Sequence, residues 1–456
     1  MNLKNNFENK NISSPEISCT IKQFFNFFTI GTLLNQCGIR KVRGTSPVKI
    51  LQCIFTLPFI GKNFYRGIVQ SENPEFGKDA AYDLLKNPGY NWRRLLFNLA
   101  VKIISFFKPL TSQNRENVFI VDDSKYDRSR SKQVELLAWA YDHVTGAFYK
   151  GFRLLTLAWS DGVSTAPVDF GLLSSEKEKK RIQGITKELD KRTCGYKRRL
   201  EALTKATELV ESMVRRAVSS GRIAVDFILM DSWFAWPKLI SKLRKYADVI
   251  CMIKKMPNIL YSYKGQLLSL ESIYRKIKKR RGRAKILGSA VVLMPDGGEA
   301  KIVFVRDRRK RGWLALLSTN TILPDEDIIR IYGRRWDIEV FFKMIKQHFN
   351  LAKEIQCRDF DGLIAHTTVV FMRYLFLSYE QRMLKDQRTF GDLFFACCDE
   401  MKDISLFEAL HRILTLAIDN LRRTGEFSEK MYHALIEAVM EQAMTNLDFS
   451  KFCHKV

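Results

Sequence analysis

Tyr332, Arg335, Glu339 and Lys346 stand three, four and seven residues apart in the stretch YGRRWDIEVFFKMIK. At about 100° per residue those steps nearly close on themselves, so one helix would gather all four within roughly 60° of one face. A carboxylate flanked by two cations and a phenol suits phosphate chemistry: Arg forks onto phosphate oxygens, Lys supplies a point charge, and Tyr donates one hydrogen bond. Beside that face Ile331, Ile338, Phe342, Ile345 and Phe349 make an apolar stripe able to anchor the helix on a core. A solvated helix carrying i,i+4 ion pairs would show similar charges, and the Tyr argues against that reading.

Two further acidic positions stand out by context. Asp123 follows the apolar run 118–121 in FIVDDS, and Asp231 follows the run 223–230 in FILMDS. A carboxylate at a strand end commonly starts a turn or caps a helix. Three together read differently. Phosphodiester hydrolysis and strand transfer use two hard divalent cations about 4 Å apart, and Mg²⁺ takes oxygen ligands while keeping several waters. Two adjacent strands ending in Asp, with a packed helix presenting Glu, would supply those oxygens. Asp122 precedes Asp123, and successive strand residues face opposite ways, so only one of the pair can join such a cluster.

The rest of the chain must position these groups. Helical periodicity covers 78–85 and 92–107, divided by the turn signal Asn87-Pro88-Gly89. Arg93 and Arg94 open the second helix, and the pair of helices reads as either a DNA-reading unit or a structural hairpin. A short amphipathic segment at 21–34 precedes them. Strand-like segments at 152–159 and 163–172 flank Ser160-Asp161-Gly162. A long basic helical region follows at 176–219, then a strand to Met230, a helix near 236–246 and a strand at 249–253. Further β-prone segments occupy 290–294, 302–305 and 313–317. The order of three strands, then helix–strand–helix–strand, is that of a ribonuclease-H-like α/β core. The expected layout is a helical DNA-end-binding region (1–110), a split core (111–253 and 321–362), a β-rich basic insertion (254–320) and a helical C-terminal region (363–456) serving packing or dimer contact.

Composition narrows the partners. The 456 residues carry 75 Lys+Arg against 49 Asp+Glu, a net charge of +26, which favours a polyanion held by phosphate contacts. Fourteen basic and three acidic residues fall between Ser272 and Gly312, so the insertion is expected to face nucleic acid. No uninterrupted apolar run suits a bilayer: the longest, 367–377, contains Arg373 and reads as a buried helix, so no membrane partner is expected. Nine cysteines without CxxC or zinc-finger spacing read as reduced thiols of a cytoplasmic protein.

With these residues in place, the chain resembles DDE transposases of the bacterial insertion-sequence-four family. Their signature Tyr-x2-Arg-x3-Glu-x6-Lys is matched at every spacing by Tyr332, Arg335, Glu339 and Lys346. The resemblance covers roughly residues 75–380. It implies a ribonuclease-H-like core with a β-rich insertion between the second Asp and the Glu. It also implies Asp123, Asp231 and Glu339 as catalytic metal ligands, the alignment favouring Asp123 over Asp122, with two Mg²⁺ ions for which Mn²⁺ can substitute. Tyr332, Arg335 and Lys346 would contact DNA phosphates, and Trp313 would either stack on a flipped base, as a Trp does in some relatives, or pack in a core. Trp233 and Trp336 read as core packing. The implied activity is cleavage of terminal inverted repeats in double-stranded DNA and joining of the 3′-OH ends to target DNA, by a homodimer in the synaptic complex. A silent transposase-derived DNA-binding protein and a structure-specific nuclease are the alternatives.

Overall fold

Residues 20–107 fold as helices because their apolar positions recur at helical spacing between polar caps and Pro/Gly turns. In the computed structural model they form α1 (Thr20–Phe27), α2 (Ile30–Gln36), α3 (Pro47–Thr56), α4 (Lys78–Lys86) and α5 (Trp92–Phe107). The structure describes residues 19–424 except 42, 72–74, 113, 143–144, 187, 281–284, 308–311 and 384–387, with 431, 434 and 438 as isolated positions beyond. Helix α5 opens where Asn91 Oδ1 accepts the Arg94 N–H at 3.1 Å, and it buries Trp92, Leu95, Leu99 and Ile103.

Four strands follow: β1 (Val118–Asp127), β2 (Ala138–Asp142), β3 (Ala147–Ser160) and β4 (Thr165–Leu173). Then come α6 (Cys194–Ala202), α7 (Ala206–Ser219), β5 (Phe227–Met230), α8 (Pro237–Leu243) and β6 (Asp248–Ile253). A β-rich stretch holds β7 (Leu260–Tyr263), β8 (Gln266–Ser269), α9 (Leu270–Lys276), β9 (Ile286–Leu293), β10 (Glu299–Arg306) and β11 (Trp313–Ser318). The chain continues as α10 (Asp325–Gly333), α11 (Trp336–Gln347), α12 (Phe360–Met383) and α13 (Phe390–Thr424).

All eleven strands join one mixed sheet. Strand β1 lies between β3, antiparallel, and β5, parallel, and β6 runs parallel to β5. The long β3 pairs with β2 along one half and β4 along the other. Strand β11 pairs antiparallel with β6, so the β-rich stretch extends the central sheet instead of forming a separate one. The result is a mixed α/β fold with helices at both ends of the described residues.

Three expectations change. The basic region 176–219 is helical only from Cys194; before it the chain is loop and one short turn of helix at Glu178–Lys180, where little is apolar enough to bury. The segment 21–34 divides into α1 and α2 at Thr29, which adopts a left-handed backbone. Strand β1 does not stop before the aspartates: Asp122 and Asp123 lie inside it, paired to Thr156 and Leu155 of β3.

Helix α12 has the length and composition of a membrane-crossing helix, but its apolar window is wholly buried in the fold, in line with the reading of 367–377 as a buried helix. There Arg373 pairs with Glu354 at 2.8 Å, which neutralises the charge the sequence places mid-helix. The eight described cysteines form no disulfide. Residues 430–446, read as a terminal helix, lie outside the described residues apart from positions 431, 434 and 438.

Candidate active site

The parallel register of β1 and β5 ends at Val121 opposite Met230, so Asp122 and Asp231 are the next positions on neighbouring strands. Adjacent strands lie about 4.8 Å apart, which brings the two carboxylates to one edge of the sheet. Asp231 starts a turn as well: its Oδ1 accepts the Trp233 N–H at 2.9 Å.

Helix α11 crosses that edge. Arg335, its N-cap, donates from Nη1 to Asp122 Oδ2 at 2.9 Å and from Nη2 to Glu339 Oε1 at 2.5 Å. Two strand positions on, Ser124 Oγ accepts Lys346 Nζ at 2.5 Å. Asp122 and Ser124 share a face by strand alternation, and Glu339 and Lys346 lie seven residues apart on the helix, so two contacts fix the helix against the strand. Ser160 Oγ donates to Asp337 Oδ2 at 2.9 Å, seating the first turn of α11 on the 160–162 turn.

The expected single face over Tyr332–Lys346 is interrupted. Tyr332 belongs to α10, which ends at Gly333, and the helix breaks at Arg334 and Arg335 before α11 begins. Glycine weakens a helix, and Arg334 is drawn aside to Glu116, just ahead of β1, at 2.6 Å. All five residues of the predicted apolar stripe are buried.

Asp123 faces the other way. Its Oδ2 pairs with Arg153 at 2.8 Å, a residue of β3 on the same side of the sheet. Asp122 is thus the member of the pair that meets Arg335 and, through it, Glu339. Asp231 lies within electrostatic reach of both aspartates.

Burial, and then the Asp231 charge, push the Asp122 carboxyl up to about 7, with Arg335 opposing. Burial also raises Asp231, against the Trp233 N–H that favours its anion. It lowers Lys346 and raises the Tyr332 phenol. The Thr156 hydroxyl, directly opposite Asp122, is buried with no hydrogen-bond partner among the described residues, and the buried Tyr332 hydroxyl has only the Arg335 guanidinium beside it, without good hydrogen-bond geometry.

The donor set suits a hard divalent cation: carboxylate oxygens only, with orphaned hydroxyls nearby to orient bound water. As the side chains stand, no three His, Cys, Asp or Glu among the described residues converge closely enough to hold a metal. The Arg335 guanidinium lies between Asp122 and Glu339 and supplies the positive charge there. Metal ligation by Asp122, Asp231 and Glu339 therefore requires Arg335 to withdraw.

The other sequence candidates separate. Trp313, half-buried at the start of β11, stacks on Tyr274 with centroids 4.6 Å apart, meets Phe304 edge-on at 5.1 Å and has Lys255 Nζ 4.0 Å from its ring centre. Three neighbours already engage its indole. Trp233 and Trp336, read as core residues, are exposed at 36% and 56%. Trp233 carries Arg153 and Lys254 within 5.4 and 4.9 Å of its ring; sequence reasoning passed over it because a Trp after a strand most often packs inward. Arg93 is committed internally to Asp169 at 2.7 Å and to Glu201, so it is not available to read DNA. In the basic stretch, Arg280 pairs with Glu326 and Lys301 with Asp325. Arg281, Arg283, Arg308, Arg309, Lys310 and Arg311 lie outside the described residues.

Comparison with known proteins adds two matches. The model of the transposase DDE domain family matches residues 201–376, and that of the DDE superfamily endonuclease family matches residues 71–254. The first spans Asp231, the α11 residues and most of α12; the second spans Asp122, Asp123 and Asp231. No curated protein matches the chain. Together these matches support a DDE-superfamily transposase with an enzymatic activity of nuclease type.

Proposed function

We propose that the chain is a transposase of the insertion-sequence-four type that binds the terminal inverted repeats of its element, cuts at their ends and joins the 3′-OH to target DNA. The observation that carries this reading is the meeting of Asp122, Arg335 and Glu339 at the edge of β1 and β5 where Asp231 also sits. The strand order β4-β3-β1-β5-β6, with β1, β5 and β6 parallel, supports a ribonuclease-H-like core.

Asp122, Asp231 and Glu339 would hold two divalent ions, Mg²⁺ or Mn²⁺, once Arg335 withdraws. DDE-type transposases generally use such ions, which supply water activation and charge neutralisation at the leaving oxygen. Water adds to phosphorus, the 3′ oxygen leaves with the bonding electrons and takes a proton, and the products are a 3′-OH and a 5′-phosphate. That 3′-OH then displaces another 3′ oxygen in the strand-transfer step. Arg335 moves from the carboxylates to phosphate oxygens, which its planar fork matches, and Lys346 adds a point charge beside it. The buried Tyr332 hydroxyl has its donor capacity free for the same phosphate. Asp123 positions Arg153, and through it the Trp233 ring, at the border of the site. Joining two ends in one event calls for a homodimer on two DNA ends.

The test is cleavage of labelled duplex carrying the element's own end, with Mg²⁺ or Mn²⁺, by the wild type and by Glu339→Ala. A metal-dependent nick at the end boundary, lost in the variant, supports the reading. End-specific binding without any cut supports a silent DNA-binding protein, and cutting indifferent to sequence supports a nuclease.

A further inference from the structure

A groove lies half the length of β1 from Asp122, beyond the carboxylates. Past Asp127, where β1 ends, the loop 127–134 faces the segment 352–358 that follows α11 across an open hollow of about 980 Å³. Arg130, Lys132, Lys353 and Arg358 line it, all exposed, and none has an ion-pair partner among the described residues. The acids nearby are already matched: Asp127 pairs with Lys125 at 3.1 Å, and Asp359 lies 3.8 Å from Arg199. A second hollow of about 670 Å³ shares Gln133, Gln356 and Arg358 with the first and is bounded by Tyr82 and Lys86 of α4. The two form one continuous path.

Its chemistry is specific in kind. Four unpaired cations in a +26 chain will draw a phosphate backbone. Gln133 and Gln356, both exposed, present a donor and an acceptor side by side, the arrangement that pairs with the adenine N6/N7 edge. Charge alone would bind any polyanion; amides among the cations add a means of reading bases.

The walls are held firm. Arg128 Nη2 donates to Ile355 O at 3.0 Å, and Glu135 N donates to Arg358 O at 2.9 Å, tying the two segments together. Arg373 grips Glu354 from inside the fold. From Asp122 to Asp127 the strand spans about 17 Å, the length of about five base pairs of duplex.

We infer that this groove is the sequence-reading site for the element's end, holding duplex DNA about five base pairs inboard of the scissile phosphate. The four cations take the backbone, and Gln133 and Gln356 take base edges. This rests on the transposase reading above.

The test uses the full chain and fluorescence anisotropy, without divalent metal, on a duplex carrying the element's own end and on a shuffled duplex. Gln133→Ala/Gln356→Ala is expected to cut the end-over-shuffled preference about tenfold or more while leaving shuffled affinity unchanged. Lys353→Ala/Arg358→Ala is expected to weaken both duplexes alike and lower the salt slope by about two. These are surface side chains, and melting curves matching the wild type show that the fold is kept. Variants that retain wild-type affinity, slope and preference overturn the groove as a DNA site. A glutamine variant that keeps full preference beside a weakened cation variant overturns base reading. A wild type with no end preference and no metal-dependent cut instead defeats the transposase reading itself, and the inference with it.

Discussion

Asp122 and Arg335 meet at 2.9 Å, with the same guanidinium reaching Glu339. One cationic side chain thus occupies the place between two carboxylates that a metal ion would share. Removing it should leave Asp122 and Glu339 repelling each other and open to a cation. Arg335→Ala is therefore expected to bind Mn²⁺ without DNA about tenfold or more tightly than wild type, read by calorimetry. The same variant should cleave DNA poorly, because the phosphate loses its clamp. Equal Mn²⁺ affinity in the two proteins would show that the guanidinium does not compete for the site.

The raised Asp122 carboxyl gives a pH dependence with a definite sign. Its folded value of about 7 lies above the ordinary carboxylate range, so in metal-free protein it holds a proton that a cation must displace. Mn²⁺ affinity should rise about tenfold per pH unit below pH 7 and level off above it. Linkage has the matching sign: the group costs stability progressively as pH rises from about 4 to 7, so Asp122→Asn should raise the metal-free melting temperature more at pH 8 than at pH 5. An equal change at both values would contradict the assignment.

The tryptophans differ in surroundings: Trp313 is packed against aromatic rings, whereas Trp233 lies exposed beside two cations. Trp313→Ala removes a ring stacked on Tyr274 and edge-on to Phe304 and should cost about 2 kcal/mol of stability, below the range for a fully buried Trp. Trp233→Ala, at an exposed ring, should change stability by less than about 1 kcal/mol. Its DNA affinity should fall by an amount matching one lost base stack, about 1–3 kcal/mol. Urea melts and end-binding isotherms on both variants separate the two, and the reverse pattern would restore Trp313 as the stacking residue.

How far the sequence reaches follows from where each signal resides. Helix α5 spans 92–107 as expected, since a strong periodicity ends at a cap and a turn. The strands at 118–121 and 302–305 were legible as apolar runs. Which of Asp122 and Asp123 meets Arg335 was not, because it depends on which face of β1 meets α11, a tertiary fact. The helix break after Gly333 escaped for a similar reason: Arg334, at the break, pairs with Glu116, more than two hundred residues earlier. Arg93 looked available because nothing local reveals its partners Asp169 and Glu201. The groove beside Asp127 joins two loops far apart in sequence, and neither carries a recognisable motif.

Long-range ion pairs hold the site in position, and one of them is a sensitive point. Glu135 receives both prongs of Arg199, while Asp361 takes a third contact at 2.8 Å, all within the buried core. Glu135→Ala should leave Arg199 partly unpaired and cost about 3–5 kcal/mol, measured by chemical denaturation. A loss under 1 kcal/mol would show that Asp361 and Asp359 suffice.

The most direct measurement is metal-dependent cleavage of the element's own end by three proteins: wild type, Asp122→Asn and Asp123→Asn. Loss of a ligand should reduce the rate more than 100-fold, whereas loss of a residue acting through Arg153 should cost about 10–100-fold at most. The account predicts a nick at the end boundary that Asp122→Asn abolishes and Asp123→Asn only slows. Full activity in Asp122→Asn, with none in Asp123→Asn, would place the metal on the opposite face of β1 and contradict it.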